Sequence, residues 1–248
     1  MTFLFLSINA QHTEEYYFTI YSEHLEEQRN VWVSLPKYYH QNNYECHTLY
    51  VLDGDSQRAG ETFRAIRNEL FESGGYIEPL IIVGIEQKRR SYELSPNGKT
   101  GKKFYSFIDN ELIPQIDSTF NTNTNRIIAG HSLGGYYALY VWMQNEKVSS
   151  CMAFSPAIFN KEGKIIEDLE EYLKKSQPKG TIYINNGTDS HVEQKIKKYI
   201  PKFLEVLDTK LVNSELLQYK EYEGHGHNFT PIVGLTDGLL HHLSLIHI

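Results

Sequence analysis

Ser132 is the residue whose sequence surroundings most clearly indicate a reactive side chain, because it lies in the pentapeptide GHSLG at positions 130–134. A serine hydroxyl is a poor nucleophile at neutral pH and reacts only when a nearby base takes its proton. The G-x-S-x-G pattern is typical of a sharp strand-to-helix turn that exposes its serine. In this chain, a short apolar run precedes the GHSLG motif and a helix-like run follows it. The pattern therefore predicts a nucleophile, and the alternative is a glycine-rich turn with a surface serine.

A serine that attacks a carbonyl group also needs N–H donors for the negative charge that develops on the carbonyl oxygen. The N–H of Leu133 is one candidate, because it opens the helix after the serine. The second candidate is the N–H of Asp55, in a turn that follows an apolar strand-like run. Gly54 allows that turn to approach closely, although an ordinary Asp-Gly turn is the alternative.

The acid and the histidine that activate such a serine should follow it in that order along the chain. Asp189 comes after a strand-like run, so a parallel sheet would bring it to the edge that carries Ser132. Glu193 is the reserve, since a helix N-cap is the alternative role of Asp189. The histidine should lie after the last strand, where His225 and His227 are both candidates. We predict no metal site, because no third ligand stands at a recognisable spacing from these two histidines.

The elements around these residues alternate between strands and helices. Strand-like apolar runs occupy residues 17–22, 31–35, 48–52, 80–85, 126–129, 150–154, 181–184 and 216–222. Helical patterns occupy residues 61–72, 104–116, 133–144, 165–175, 191–206 and 230–243. The first two runs alternate and favour an antiparallel edge pair, whereas the continuous runs favour buried parallel strands. We therefore predict a single α/β domain over residues 15–248, with a mostly parallel central sheet and helices on both faces.

The composition excludes several classes of protein. Hydrophobic residues make up 40% of the 248 residues, which is enough for one sizeable core. The net charge of −7 argues against a nucleic-acid partner. No run approaches the roughly 20 apolar residues of a membrane span. The composition therefore disfavours a nucleic-acid partner and a membrane span, and the small-molecule substrate that we expect follows from the candidate serine nucleophile.

The segment TFLFLSINAQ at positions 2–11 has two interpretations. Its short apolar run and small-residue ending resemble the back half of a secretory signal peptide, although no basic segment precedes the run. Under that interpretation residues 1–14 are a signal remnant or an N-terminal extension, and the protein is periplasmic or secreted. Under the other, the segment is an ordinary first strand and the protein is cytoplasmic.

Longer stretches of the chain resemble the esterase family of the α/β-hydrolase superfamily, which includes feruloyl and siderophore esterases, S-formylglutathione hydrolases and mycolyl transferases. The similarity covers about residues 15–243. Besides the serine motif, it is carried by the stretches VWVSLPKYY, LYVLDGDS, VGIEQKRRSYELSP, FIDNELIPQID and AFSPAIF. The resemblance implies an α/β-hydrolase fold, a triad of serine, acid and histidine, and no cofactor.

The resemblance also sets the register of the histidine. In the family, the catalytic histidine opens an HG-S-x-P stretch whose proline stands about six residues before a DGL tripeptide. Here Pro231 stands six residues before Asp237, which puts the catalytic position at His227. The two residues after His227 are not the usual glycine and serine, so His225 stays open as the alternative.

The resemblance therefore implies a serine esterase in which Ser132 attacks the ester carbonyl and His227 takes its proton. Asp189 orients His227, and water then hydrolyses the acyl-enzyme. The family's acid often stands one residue further on, at the position of Ser190 here. Two other functions stay open, an acyltransferase with the same triad and a non-catalytic binding module that would lack a triad member.

The predicted substrate-binding residues are Arg90, His131 and Tyr136. Arg90 lies with Arg89 and Glu93 on a loop after a strand, at the predicted edge of the site. These charges could meet an anionic or hydroxyl-rich substrate. The alternative is an ion pair that braces the loop.

Overall fold

The computed structural model describes residues 14–54, 57–209, 211 and 214–245. Nearly all of the predicted signal remnant, and the predicted oxyanion donor Asp55, lie outside these residues. Within the described part of the chain, no helix is both long and apolar enough to cross a membrane. The same residues contain no cluster of three or more His, Cys, Asp or Glu side chains that could hold a metal ion.

Strands and helices alternate along the described chain. The strands are β1 (Glu15–Ser22), β2 (Glu27–Ser34), β3 (Cys46–Leu52), β4 (Leu80–Ile85), β5 (Thr122–His131), β6 (Ser150–Phe154), β7 (Ile182–Gly187) and β8 (Leu217–Tyr222). The α-helices are α1 (Tyr39–Asn42), α2 (Gln57–Asn68), α3 (Arg90–Glu93), α4 (Lys99–Phe107), α5 (Ile113–Thr119), α6 (Leu133–Gln144), α7 (Lys164–Lys175), α8 (His191–Asp208) and α9 (Thr230–Leu243). Short π-helical turns follow α2 and join α4 to α5, and a 3-10 turn, His227–Phe229, precedes α9.

Tertiary contacts group the chain into two compact units, residues 1–127 with 243–248 and residues 128–242. The first unit has the strand order β1-β2-β4-β3-β5, and the second has the order β5-β6-β7-β8. Strand β5 appears in both orders because its residues span the boundary after residue 127. The pairs β1–β2 and β2–β4 are antiparallel, whereas β3–β4, β6–β7 and β7–β8 are parallel. This mostly parallel sheet with flanking helices confirms the predicted α/β class and the antiparallel edge pair.

The burial of the strands follows their sequence patterns. β4 and β6 are buried at every residue, as expected for continuous apolar runs in parallel strands. β1 instead alternates, and the side chains of Tyr17 and Tyr21 are 46% and 50% exposed. Parallel neighbours also run in register, so that Phe154 at the end of β6 lies opposite Asn185 of β7. The residues that follow β6 and β7 therefore lie near one another, at the carboxyl ends of these two parallel strands.

Candidate active site

Ser132 is the single residue between β5 and α6. Its backbone has φ 58° and ψ −116°, a conformation that residues other than glycine rarely adopt. Its N–H donates to the carbonyl oxygen of Phe154 at 2.9 Å, and its own carbonyl oxygen accepts from the N–H of Ala157 at 2.9 Å. A strained backbone of this kind persists only where the surroundings hold it. The turn after β6 therefore fixes the turn that carries Ser132.

Gly130 is required by the close approach of β5 to α6. A Cβ atom at this position would lie 2.4 Å from the carbonyl carbon and oxygen of Gly134. Any side chain larger than that of glycine at position 130 would therefore clash with the backbone of α6. Because the helix begins directly after the serine, the N–H of Leu133 lies in the first turn of α6, where N–H groups have no partner within the helix.

His227 is bonded to a buried carboxylate, which belongs to Glu193. The distance from Nδ1 of His227 to Oε1 of Glu193 is 2.6 Å. The Glu193 side chain is 0% exposed and that of His227 is 16% exposed. Asp189, the predicted partner of His227, is exposed instead, and its N–H donates to the carbonyl oxygen of His225 at 3.1 Å. The structure thus corrects the partner of His227 from Asp189 to the reserve, Glu193.

The start of α8 explains why Glu193 reaches His227. Ser190 is the N-cap of this helix, and its hydroxyl oxygen accepts from the N–H of Glu193 at 3.2 Å. The spacing of Ser190 and Glu193 is that of a capping box, in which the glutamate normally turns back to the cap. Here Oε2 of Glu193 accepts from the N–H of Gly187 at 2.8 Å, at the end of β7. This S-x-x-E spacing is the sequence signal that favours Glu193.

The surroundings of Glu193 keep its carboxyl group ionised. Burial alone would raise the pKa of this group, and it is the largest single influence. Hydrogen bonds from His227, from the hydroxyl of Ser155 and from the N–H of Gly187 act in the opposite direction. Together they outweigh the burial, so the pKa of Glu193 lies below its ordinary value. A negative charge is therefore held next to His227 at neutral pH.

His131 and His227 lie in direct contact. Nε2 of His131 donates to the carbonyl oxygen of His227 at 2.9 Å, and the centroids of the two rings are 4.5 Å apart. This contact brings the turn of His227 beside the residue that precedes Ser132. One ring nitrogen of His131, a predicted substrate-binding residue, is thus bonded to the backbone.

His225, the alternative histidine, is oriented differently. Its Nδ1 donates to the carbonyl oxygen of Glu223 at 2.8 Å. Its ring lies beside those of Tyr222 and Phe229, with centroid distances of 5.9 and 6.4 Å. Of the two predicted histidines, His227 is therefore the one that contacts a buried carboxylate.

In the first unit, the loop after β3 approaches the end of β4. The N–H of Gly54 donates to the carbonyl oxygen of Ile85 at 3.0 Å, and a Cβ atom at Gly54 would lie 2.5 Å from the Cα of Gly84. The predicted close approach of this loop is therefore present up to Gly54. Asp55, whose N–H is the predicted donor, follows directly and lies outside the described residues.

The charged loop after β4 is braced by ion pairs. The guanidinium of Arg90 bonds both oxygens of Asp53, with Nε–Oδ1 at 2.6 Å and Nη2–Oδ2 at 2.8 Å. Glu93 is 0% exposed, and both of its oxygens lie 2.9 Å from the guanidinium of Arg29. These contacts match the alternative interpretation of this loop, in which its charges hold the backbone in place.

Tyr136, the third predicted substrate-binding residue, lies in α6 and is 1% exposed. Burial raises the pKa of its hydroxyl to about 12, and the nearby carboxylate of Asp168 adds to the rise. A side chain with almost no exposed surface cannot meet a substrate in this conformation. The structure therefore corrects this prediction, and Tyr136 is a core residue.

Comparison with known families agrees with the geometry of the serine turn. The family described as "Putative esterase" matches residues 22–239 of the chain. The chain belongs to this esterase family. The esterase is accordingly a carboxylic ester hydrolase, as the sequence predicts, and family membership disfavours the alternative of a non-catalytic binding module.

Solved structures with the same fold resemble the esterase over almost its whole length. An IroE-like serine hydrolase from Shewanella oneidensis is 22% identical, with a TM-score of 0.80 over 92% of this chain and 79% of that one. The siderophore hydrolase EstB from Aspergillus nidulans is 16% identical, with a TM-score of 0.78 over 99% of each chain. The enterobactin esterase FES from Shigella flexneri is 19% identical, with a TM-score of 0.72 over 91% of this chain and 58% of that one. At these sequence identities, the similarity to the three structures shows that this chain has the same fold.

Proposed function

We propose that this esterase hydrolyses a small-molecule carboxylic ester through an acyl-enzyme on Ser132, with His227 as general base and Glu193 as the acid. The observation that carries the proposal is the 2.6 Å bond from Nδ1 of His227 to the buried carboxylate of Glu193. A histidine bonded to a carboxylate activates a serine hydroxyl that it can reach. In support, Nε2 of His131, the residue before Ser132, bonds the carbonyl oxygen of His227 at 2.9 Å.

The bond to Glu193 sets the tautomer of His227. An ionised carboxylate accepts only, so the proton on the His227 ring resides on Nδ1. Nε2 is then left with a lone pair that can take the proton of the Ser132 hydroxyl as the oxygen attacks the ester carbonyl. The same proton is returned to the leaving alkoxide. Water then attacks the acyl-enzyme by the same path, with His227 again as the base.

The charge on Glu193 stabilises the imidazolium that forms at His227. The carboxylate is fully buried, so the attraction is screened less than it would be in water. Because the bonds that lower its pKa are already in place, the carboxylate does not have to reorient when the charge appears. Glu193 therefore acts by orientation and by electrostatics.

The negative charge on the carbonyl oxygen requires a donor next to Ser132. The N–H of Leu133 opens α6, and the positive end of the helix dipole favours an anion at that position. We propose the N–H of Asp55 as the second donor, which rests on its place in the sequence.

Replacement of the nucleophile tests the proposal directly. We expect Ser132→Ala to lower kcat for p-nitrophenyl acetate by about 10⁴- to 10⁶-fold, because all members of a triad act through the nucleophile. A fluorophosphonate should label the wild-type protein at Ser132 and leave the variant unlabelled. Circular dichroism should show both proteins folded. Activity of the variant within tenfold of wild type would contradict the assignment.

The two histidines provide a matched control. His227→Ala should approach the loss seen for Ser132→Ala, whereas His225→Ala should keep most of kcat, because its ring is bonded to a backbone carbonyl and not to a carboxylate. The reverse pattern would assign the base to His225.

A further inference from the structure

The carbonyl oxygen of His227 accepts two hydrogen bonds. Nε2 of His131 donates to it at 2.9 Å, and Oγ1 of Thr230 donates to it at 3.0 Å. Thr230 stands three residues after His227, so its bond lies within one turn of the chain. His131 instead ends β5 and stands 96 positions before His227. The bond from His131 therefore ties the turn of His227 to a distant element.

His131 starts from a point that is itself fixed, because it directly precedes Ser132. The backbone of Ser132 bonds the turn after β6 through both its N–H, to Phe154, and its carbonyl oxygen, from Ala157. One peptide bond joins His131 to Ser132 and sets their Cα atoms about 3.8 Å apart. A side chain that begins here and ends on the carbonyl oxygen of His227 limits how far the two turns can separate.

The rings of His131 and His227 also pack against each other. Their centroids are 4.5 Å apart, and their planes are inclined by 45°. Nδ1 of His227 is bonded to the carboxylate of Glu193 at 2.6 Å. The ring of His227 is thus restrained by a bond to Glu193 and by contact with His131, while its backbone is restrained by the bond from His131.

The acceptor decides where the proton of the His131 ring lies. A backbone carbonyl oxygen only accepts, so Nε2 of His131 carries a proton in this bond. A neutral imidazole has one N–H and meets this requirement, so the bond does not depend on a charge at His131. The side-chain amide of glutamine also donates from a nitrogen in the ε position and can replace it.

We propose that His131 is a positioning residue that sets the distance between Ser132 and His227. The inference rests on the proposed function, because these two residues are its nucleophile and its base. Misplacement of reacting groups by about 1 Å can cost about a hundredfold in rate. Since the Nε2 proton of His131 is taken by the carbonyl oxygen of His227, loss of the bond should lower kcat and leave KM unchanged.

Three variants of the full-length protein separate the hydrogen bond from the ring. His131→Phe keeps a ring without a donor, His131→Gln keeps a donor without a ring, and His131→Asn carries the same amide on a shorter side chain. His131→Phe and His131→Asn should lower kcat for p-nitrophenyl acetate by about ten- to a hundredfold at unchanged KM. His131→Gln should stay within about fivefold of wild type, because the donor is retained.

The rate at which a fluorophosphonate labels Ser132 provides a second readout. This reaction also requires an activated serine but does not involve the ester. The labelling rate should therefore fall in the same order as kcat, with His131→Gln above His131→Phe and His131→Asn. Circular dichroism checks that each variant is folded.

A second histidine that bonds a backbone carbonyl provides the matched control. Nε2 of His241, in α9, lies 3.4 Å from the carbonyl oxygen of Leu216, and both His241 and His131 are partly buried. His241→Phe removes a bond of the same kind. It should leave kcat and the labelling rate at their wild-type values, because this bond holds the residue before β8 and not the turn of His227.

The alternative role of His131 is the predicted one, substrate binding, and the kinetics distinguish the two. A rise of KM at unchanged kcat in His131→Phe would assign His131 to the substrate and overturn the positioning role. An equal loss of kcat in His131→Gln and His131→Phe would overturn it too, because the bond would then not be the cause. The same holds for an equal loss in His241→Phe.

The outcomes also separate the positioning role from the proposed function. If His131→Phe keeps the wild-type kcat and labelling rate while Ser132→Ala is inactive, the positioning role is overturned and the triad stands. If His131→Phe does not fold, a His131→Asn protein with the wild-type kcat overturns it. An active Ser132→Ala protein would instead contradict the proposed function.

Discussion

Two fully buried glutamates, one in each compact unit, have different partners. Glu93 of the first unit places both oxygens on the guanidinium of Arg29, each at 2.9 Å. Glu193 of the second unit divides its oxygens between the ring of His227 at 2.6 Å and the N–H of Gly187 at 2.8 Å. Both side chains are 0% exposed. Burial of the carboxylate is therefore common to the two regions, and the partner distinguishes them.

The partner decides what each carboxylate can do. A guanidinium stays charged at every pH that a protein meets, so the Arg29–Glu93 pair cannot exchange a proton and serves the structure of its loop. A histidine gains and loses a proton near neutral pH, so a carboxylate bonded to a histidine can support proton transfer. The comparison predicts that changes at Glu193 act on catalysis, whereas changes at Glu93 act on stability.

The largest expected effect is that of Glu193→Gln on kcat. The amide side chain can turn its NH₂ group to His227, which would favour the wrong tautomer of the ring and remove the charge that stabilises the imidazolium. We expect kcat to fall by about 10⁴-fold for p-nitrophenyl acetate. Asp189→Asn is the matched control and should stay within about threefold of wild type, because the Asp189 side chain is exposed. A large loss in the control with an active Glu193→Gln protein would restore Asp189 as the acid.

The second effect is that of Glu93→Gln on stability. It leaves the guanidinium of Arg29 buried without the carboxylate that bonds it twice. Breaking a buried ion pair costs about 3–5 kcal/mol, and we expect the lower end because Glu27 also bonds Arg29, at 2.8 Å. Urea unfolding measures this change, and kcat of the folded protein should stay within a few-fold of wild type. A loss of kcat without a loss of stability would mean that the comparison is wrong.

The elements were predictable because their signals are local. The runs at residues 80–85, 150–154, 133–144 and 230–243 have the same bounds as β4, β6, α6 and α9. The turn at Ser132 was readable for the same reason, since strand, glycine, serine and helix follow one another directly. Periodicity and turn chemistry within about 15 residues carry this information.

The choice between Asp189 and Glu193 as the carboxylate that bonds His227 was not predicted, and neither was the end of β7. The sequence predicts that this strand ends at residue 184, but it continues to Gly187 through two asparagines that are both 0% exposed. Asparagine is rare in strands, so its bonds to neighbouring elements must hold it there. Asp189 lies in the exposed turn after this strand, and Glu193 lies in the first turn of α8, which begins at the predicted residue. The S-x-x-E spacing of Ser190 and Glu193 favours Glu193 within the sequence. Its bond to His227 joins residues 34 positions apart, and a single sequence does not predict such a contact.

The smallest expected effect is that of Arg90→Ala, and it separates the two interpretations of the charged loop. The side chains of Arg90 and Asp53 are 42% and 26% exposed, and such ion pairs contribute about 0–1 kcal/mol. Asp53 has φ 57°, so the bidentate bond from Arg90 restrains a residue in an unfavourable conformation. We expect a loss of stability below about 1 kcal/mol and an unchanged kcat.

The ratio of KM values for a carboxylate-bearing ester and a neutral ester of the same shape decides between the interpretations. Because Asp53 already neutralises the guanidinium of Arg90, Arg90→Ala should leave this ratio within about twofold of wild type. Asp53→Asn is the matched control, since it removes the negative charge beside the guanidinium and should lower KM for the anionic ester if a substrate reaches Arg90. A selective rise of KM for the anionic ester in Arg90→Ala would assign Arg90 to substrate binding and would separate this loop from the structural role of Arg29 and Glu93.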